Sequence, residues 1–282
     1  MAPALAERAG VVHEVAPGRV DEIAGALLGT VDPGELIVAL GGGRVIDTAK
    51  ALAAARAPAE RPLVAAVPTT LSAAEMTAVH RRAAGADSSL PGVRPARVVN
   101  DPALSASQPV VELAASAANA LAHAAEGPAT RRANPVAALT GREAARLVGA
   151  AYADGDEPDR DMLALAALLS GYTIDSAGYG LHHVLSQTLA RLAGVGHGQA
   201  NAVMLPHTLG ALERRGAPGA RDLVALASVL ARRAQASSLS ALGVDEAALD
   251  ACADAAAQRS ELDAIPPRPD RAELRALYAA AF

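Results

Sequence analysis

A chain of 282 residues in which about half are hydrophobic and only five are aromatic cannot fill its interior with rings. The five are Tyr152, Tyr172, Tyr179, Tyr278 and Phe282, so Ala, Val and Leu must supply the core. Small side chains let helix backbones approach closely, which favours helix-on-helix packing over an all-β sandwich. At roughly 150 residues per domain, the length allows about two domains. Cys252 is the single cysteine. That excludes a disulfide scaffold and fits a reducing, cytoplasmic setting. The opening residues, MAPALAERAG, lack the basic start and apolar core of a signal peptide. No apolar run approaches the roughly 18 residues of a membrane span. A net charge of −5, without a basic stripe or interleaved aromatics, argues against nucleic acid as a partner. Lys50 is the only lysine among 25 basic residues, which with the Ala bias reads as codon pressure rather than function.

The first third alternates strand and helix patterns. Leu36–Leu40 is a short apolar run closed by Gly41-Gly42-Gly43, and Val45–Ala55 then reads as a helix. Leu63–Val67, stopped by Pro68, and Arg97–Val99, stopped by Asn100-Asp101-Pro102, read as further strands. Strands separated by helical stretches predict a parallel α/β unit. Beyond residue 105 the strand pattern ends. Helices are predicted over Val111–Glu126, Ala137–Tyr152, Arg160–Thr173, Gly198–Glu213, Ala220–Ala234, Leu239–Ala253 and Arg271–Ala281, with a polar linker at Asp154–Asp159. The expected architecture is α/β plus all-α: a parallel α/β nucleotide-binding-like domain over 1–104, then a helical domain over 105–282.

The glycine turn between the first strand and its helix has a physical use. Glycine lets backbone approach a ligand, and a helix start favours an anion such as a pyrophosphate. Neither a P-loop nor the G-x-G-x-x-G pattern is present, and tight turns use glycines for shape alone. Histidines form the second cluster. Asn119 and His123, four apart, share one helix face. His183 and His197 flank Gly194-Val195-Gly196, a helix break able to turn His197 back. Three imidazoles from different helices can hold Zn or Fe, and each can equally be a hydrogen-bonded core or surface histidine. His182 points about 100° away from His183, so at most one of that pair serves as a ligand.

Taken in order, these segments resemble the iron-containing alcohol dehydrogenase family, most closely its maleylacetate reductase-like branch. The stretches that carry the resemblance are Gly41–Lys50, Pro68–Thr77, Asn100–Leu104, Asn119–His123, Gly180–His183, Gly196–Gly198 and Leu205–His207. The resemblance implies a nucleotide-binding α/β domain, a helical domain and a cleft between them. It implies that Gly41, Gly42, Gly43 and Arg44 lie at the cofactor pyrophosphate and that Thr69, Thr70 and Ser72 line the ribose and nicotinamide of NADH or NADPH. Metal-dependent members use an Asp and three His, which fall on Asn119, His123, His183 and His197 as ligands for a divalent metal such as Fe or Zn. His123, His183 and His197 are the implied catalytic residues.

Five departures bear on the chemistry. The region before Gly41 is shorter than in the family, Arg44 replaces a serine, and Ser72-Ala73-Ala74 stands for Ser-Gly-Ser. Asn119 replaces an anionic ligand. Gln187 occupies the place of a second histidine one turn after His183, where an amide cannot relay a proton. The first expectation is therefore an NAD(P)H-dependent oxidoreductase acting on a short keto acid, with Arg44 or Arg131 as candidates to meet its carboxylates. The alternative is a redox-neutral isomerase, lyase or cyclase of a specialised biosynthetic pathway, using the histidines as acid and base without a nicotinamide. A third is a non-catalytic remnant. The expected partner is a small-molecule substrate, and the sheet edge suggests a homodimer.

Overall fold

The computed structural model describes residue 5 and residues 7–282 apart from 88, 154, 156 and 218. Positions 1–4 and 6 of the opening segment and positions 154 and 156 of the polar linker lie outside the described residues. The chain divides into two compact units, residues 1–70 with 74–104 and residues 71–73 with 105–282.

In the first unit, strands β1 (Leu36–Gly41), β2 (Leu63–Pro68) and β3 (Arg97–Val98) form a parallel sheet in the order β1-β2-β3. Leu36 pairs with Leu63 and Gly41 with Pro68, while Ala65 and Ala66 pair with Arg97 and Val98. The predicted α/β order is thus present. Helix α1 (Val20–Leu27), which the sequence reading passed over, packs on helix α2 (Gly43–Ala54). Gly25 explains how closely α1 is seated: a Cβ there would lie 2.9 Å from Ala84 O. The core is small and branched, with Ala39, Ile46, Ala49, Val64 and Ala66 all buried.

The second unit is all helical: α3 (Val110–Glu126), α4 (Pro135–Ala151), α5 (Arg160–Ala177), α6 (Leu181–Leu192), α7 (His197–Glu213), α8 (Val224–Arg233), α9 (Ala248–Ala257) and α10 (Arg271–Ala281). α3 is the central rod and packs against α4, α5, α7 and α8. Its near-continuous alanines make that possible, and almost every residue from Leu113 to Glu126 is buried. Asn134 and Asp159 cap α4 and α5 through the backbone N–H groups of Ala137 and Met162. The helix expected over Leu239–Ala253 is corrected. Residues 239–247 form turns, with Gly243 at φ +81°, and the helix begins at Ala248. Among the described residues no helix is long and apolar enough to cross a membrane.

Candidate active site

The histidine cluster is built within the second unit by α3, α6 and α7. His123 and His183 lie stacked, ring centroids 4.7 Å apart and planes 13° from parallel. Both are almost fully buried. Glu126, one turn beyond His123 on α3, lies behind this stack. Its Oε1 accepts the backbone N–H of His182 at 2.6 Å, and its Oε2 is 2.5 Å from His183 Nδ1. Burial raises the Glu126 carboxyl, and burial lowers His183 to about 3. Each group is thereby pushed toward neutrality, so one proton shared along the Oε2–Nδ1 line satisfies both. That leaves His183 Nε2 and His123 Nδ1 buried without hydrogen-bond partners. His123 is held well below the usual imidazole range by burial first, then by His183.

His182 is the structural member of the adjacent pair, as the 100° offset requires. Its ring nitrogens meet Thr208 Oγ1 at 2.9 Å and Asn201 Oδ1 at 3.1 Å. Asn201 also contacts His197 Nε2 at 3.3 Å, and His197 itself is exposed at the start of α7. Gln187, on α6, accepts a hydrogen bond from Arg259 at 3.0 Å, and Arg259 is paired with Glu261. Tyr179 lies 5.7 Å from the His183 ring and donates weakly to Glu261 at 3.4 Å. Arg131, offered as a carboxylate partner, instead donates to Asp263 O at 2.9 Å.

The implied metal donors are Asn119, His123, His183 and His197. Two imidazoles on one ion must each aim a lone pair at a common point about 2 Å away. Near-parallel stacked rings aim them side by side. Asn119 offers only a neutral amide, whose Nδ2 faces Leu71 O at 3.5 Å. Among the described residues no group of three or more His, Cys, Asp or Glu is placed to hold a metal ion. In this arrangement the donor set does not fit a divalent metal.

The glycine turn belongs to the first unit. Gly41 has φ +155°, and a Cβ on it would lie 2.6 Å from Val45 Cγ2. A Cβ on Gly42 would lie 3.0 Å from Thr70 Cγ2. Thr69 N–H donates to Gly41 O at 3.1 Å, joining the turn to the Thr pair, and Thr70 Oγ1 is buried without a partner. Arg44 is exposed in the first turn of α2. Ala73 sits at φ +63°, a left-handed conformation that costs a residue with a Cβ.

The C-terminal region of the Fe-containing alcohol dehydrogenase family matches residues 113–224. The maleylacetate reductase of Rhizobium sp. (strain MTP-10005) is 32% identical over 266 residues, spanning 88% of this chain and 74% of that protein. The chain belongs to the Fe-containing alcohol dehydrogenase family. It falls in the maleylacetate reductase-like branch. Maleylacetate reductase 1 of Rhodococcus opacus is likewise 32% identical, over 86% of this chain and 71% of its own. Among solved structures, maleylacetate reductase from Agrobacterium tumefaciens superposes with a TM-score of 0.82 at 29% identity, covering 99% of this chain and 85% of that one. Membership makes the protein an NAD(P)H-dependent oxidoreductase of small molecules, and the redox-neutral alternative is not favoured. The family also implies a divalent metal such as iron, which the stacked rings and the neutral Asn119 amide do not fit in this arrangement.

Sequence reasoning missed Glu126, although an acid one turn past His123 in a run of Ala and Leu was a usable signal.

Proposed function

We propose that this oxidoreductase reduces the keto group of a short keto acid with NADH or NADPH, with a metal-free proton-donating site. The observation that carries the reading is the buried His123–His183 stack, whose two unpartnered nitrogens call for a polar guest such as a carbonyl oxygen. The glycine turn supports the cofactor. Gly41 leaves no room for a Cβ and Gly42 little, Thr70 offers an unused hydroxyl, and α2 begins where a phosphate would rest. Gly41, Gly42 and Gly43 would hold the pyrophosphate, with Arg44 beside it, and Thr69, Thr70 and Ser72 the ribose and nicotinamide. When bound, the nicotinamide supplies the hydride.

The residues of this chain supply the proton. His183 Nε2 gives its hydrogen to the carbonyl oxygen as the hydride reaches carbon, which leaves a secondary alcohol. Nδ1 takes the proton on the Glu126 line at the same time, so the imidazole ends neutral. The new negative charge rests on Glu126, where the His182 N–H already meets it. One proton from solvent resets the pair. His123, stacked on His183, fixes the plane of that ring and offers Nδ1 to the substrate. Gln187 has no part in the transfer.

Titration of NADH and NADPH, followed by nicotinamide fluorescence, tests the cofactor, since a chain without Trp adds little background. Saturable enhancement is expected with one of the two, then oxidation of the bound nucleotide by a dicarboxylic keto acid at a rate indifferent to chelators. No binding of either nucleotide overturns the reading. A homodimer in a reducing cytoplasm completes the proposal. β1 is an edge strand with Leu36 and Val38 exposed, and Cys252 is a buried free thiol. A monomer's mass by light scattering rejects the dimer.

A further inference from the structure

Between β2 and β3, residues 69–96 carry no helix or strand among the described positions, and all but 71–73 of them belong to the first unit. Irregular connections of that length are uncommon in compact domains and are either functional or linker segments. Lys50 reaches this loop from α2. Its side chain is fully buried, and Nζ donates to Ala74 O at 2.9 Å, Val79 O at 2.8 Å and Asp47 Oδ1 at 2.8 Å, with Thr77 Oγ1 at 3.4 Å. A buried ammonium persists only where its hydrogens are met, and here two of its partners are main-chain carbonyls five residues apart. Glu75, between those two anchor points, is 1% exposed, and neither of its carboxyl oxygens has a hydrogen bond. The turn is therefore not held by its own acid. It is held by Lys50.

The far part of the loop is fastened separately. His80 Nε2 accepts the Val93 N–H at 3.1 Å, and Arg61 donates to Pro91 O at 3.0 Å. Loss of Lys50 then frees the near part, residues 74–79, without undoing the rest.

We infer that Lys50 is a positioning residue for the nicotinamide nucleotide: by pinning the backbone at Ala74 and Val79 it fixes the course of the chain that leaves Thr69 and Thr70, the hydroxyl pair beside the glycine turn. This rests on the nucleotide site proposed above. A lysine suits the task, since three donors on a compact charge can serve two carbonyls and a carboxylate at once, where a planar guanidinium fork cannot.

The test compares wild type, Lys50→Met and Asp47→Asn. The second variant keeps the ammonium and weakens only its half-exposed leg. Hydrogen exchange without nucleotide should quicken at residues 74–80 by about tenfold or more in Lys50→Met and less in Asp47→Asn, with residues 113–126 unchanged. With nucleotide, KM for NAD(P)H should rise about tenfold while kcat stays within about threefold. If Lys50→Met does not fold, Asp47→Asn must show the same two changes at smaller size. Unchanged exchange at 74–80 overturns the inference whether or not a nucleotide binds. Faster exchange with an unchanged KM also overturns it, by reducing Lys50 to a structural tie. Failure of wild type to bind either nucleotide falls instead on the reading of the site, and the exchange data still decide whether Lys50 holds the loop.

Discussion

Glu75 and Glu126 are both buried carboxyls, one in each unit, and their surroundings differ in what they provide. Glu75 lies beside Lys50 with no hydrogen bond to either oxygen, and burial pushes it up to about 7. Glu126 is raised by the same desolvation, yet it accepts a backbone N–H and shares a 2.5 Å contact with His183. The contrast separates two uses of one penalty. In the α/β unit the acid is tolerated, because the neighbouring ammonium is committed to other oxygens. In the helical unit the acid has a backbone N–H that donates to it and an imidazole nitrogen beside it, partners compatible with either protonation state, as the proposed proton relay requires.

Replacing the acids one at a time probes that contrast most strongly through activity. Glu126→Gln keeps an acceptor for the His182 N–H and removes the transferable proton, so kcat should fall about 10²-fold, and His183→Ala should cost about 10²–10⁴-fold, both with nucleotide affinity unchanged. Glu75→Gln should leave kcat within about threefold. Equal losses from the two Gln variants in steady-state assays would erase the distinction.

A smaller effect is expected in stability against pH. The folded Glu75 binds its proton more tightly than the unfolded chain, whose carboxyl titrates near 4.5, so its contribution is complete below that value and lost as pH rises through about 7. Glu75→Gln should therefore stabilise the protein by about 3 kcal/mol near pH 8, with little change near pH 4. His182 and His183 run the other way. Burial lowers both to about 3, so the stability they depend on is present above 6.5 and is lost as pH falls below it. Urea melts of wild type and Glu75→Gln across this range should show the alkaline slope flattened and the acid slope kept.

The smallest change concerns the join between the sequence segments of the two units. Ala73 holds φ +63°, where glycine sits without cost. Ala73→Gly relieves roughly 1 kcal/mol of strain and gives part of it back through a freer unfolded chain, for a net gain of about 0.5 kcal/mol. A calorimetric Tm that falls instead would place the constraint outside the backbone.

Much of the fold was legible because local signals bounded the elements. Gly41 and Pro68 end their strands, and α10 begins at Arg271 behind the capping Asp270. Residues 239–247 misled because their apolar content, buried Leu239 and Val244 with half-buried Leu242, is packed by turns as readily as by a helix. In the site, His123 and His183 were legible as residues and their relation was not. The contact on which the role proposed for His183 depends comes from Glu126, 57 positions earlier, and spacing within one helix carries no trace of it. Likewise Ser72-Ala73-Ala74 stands where the family resemblance has Ser-Gly-Ser, and the left-handed Ala73 holds a conformation that a glycine adopts without strain.

The solitary lysine has one more consequence. With every other basic side chain an arginine and Lys50 fully buried, amine-directed reagents meet no accessible lysine on the folded molecule. Acylation at that position requires an opening that exposes the Lys50 amine, so a mass increment on the peptide that carries Lys50 would count those openings like a clock, read without any engineered label.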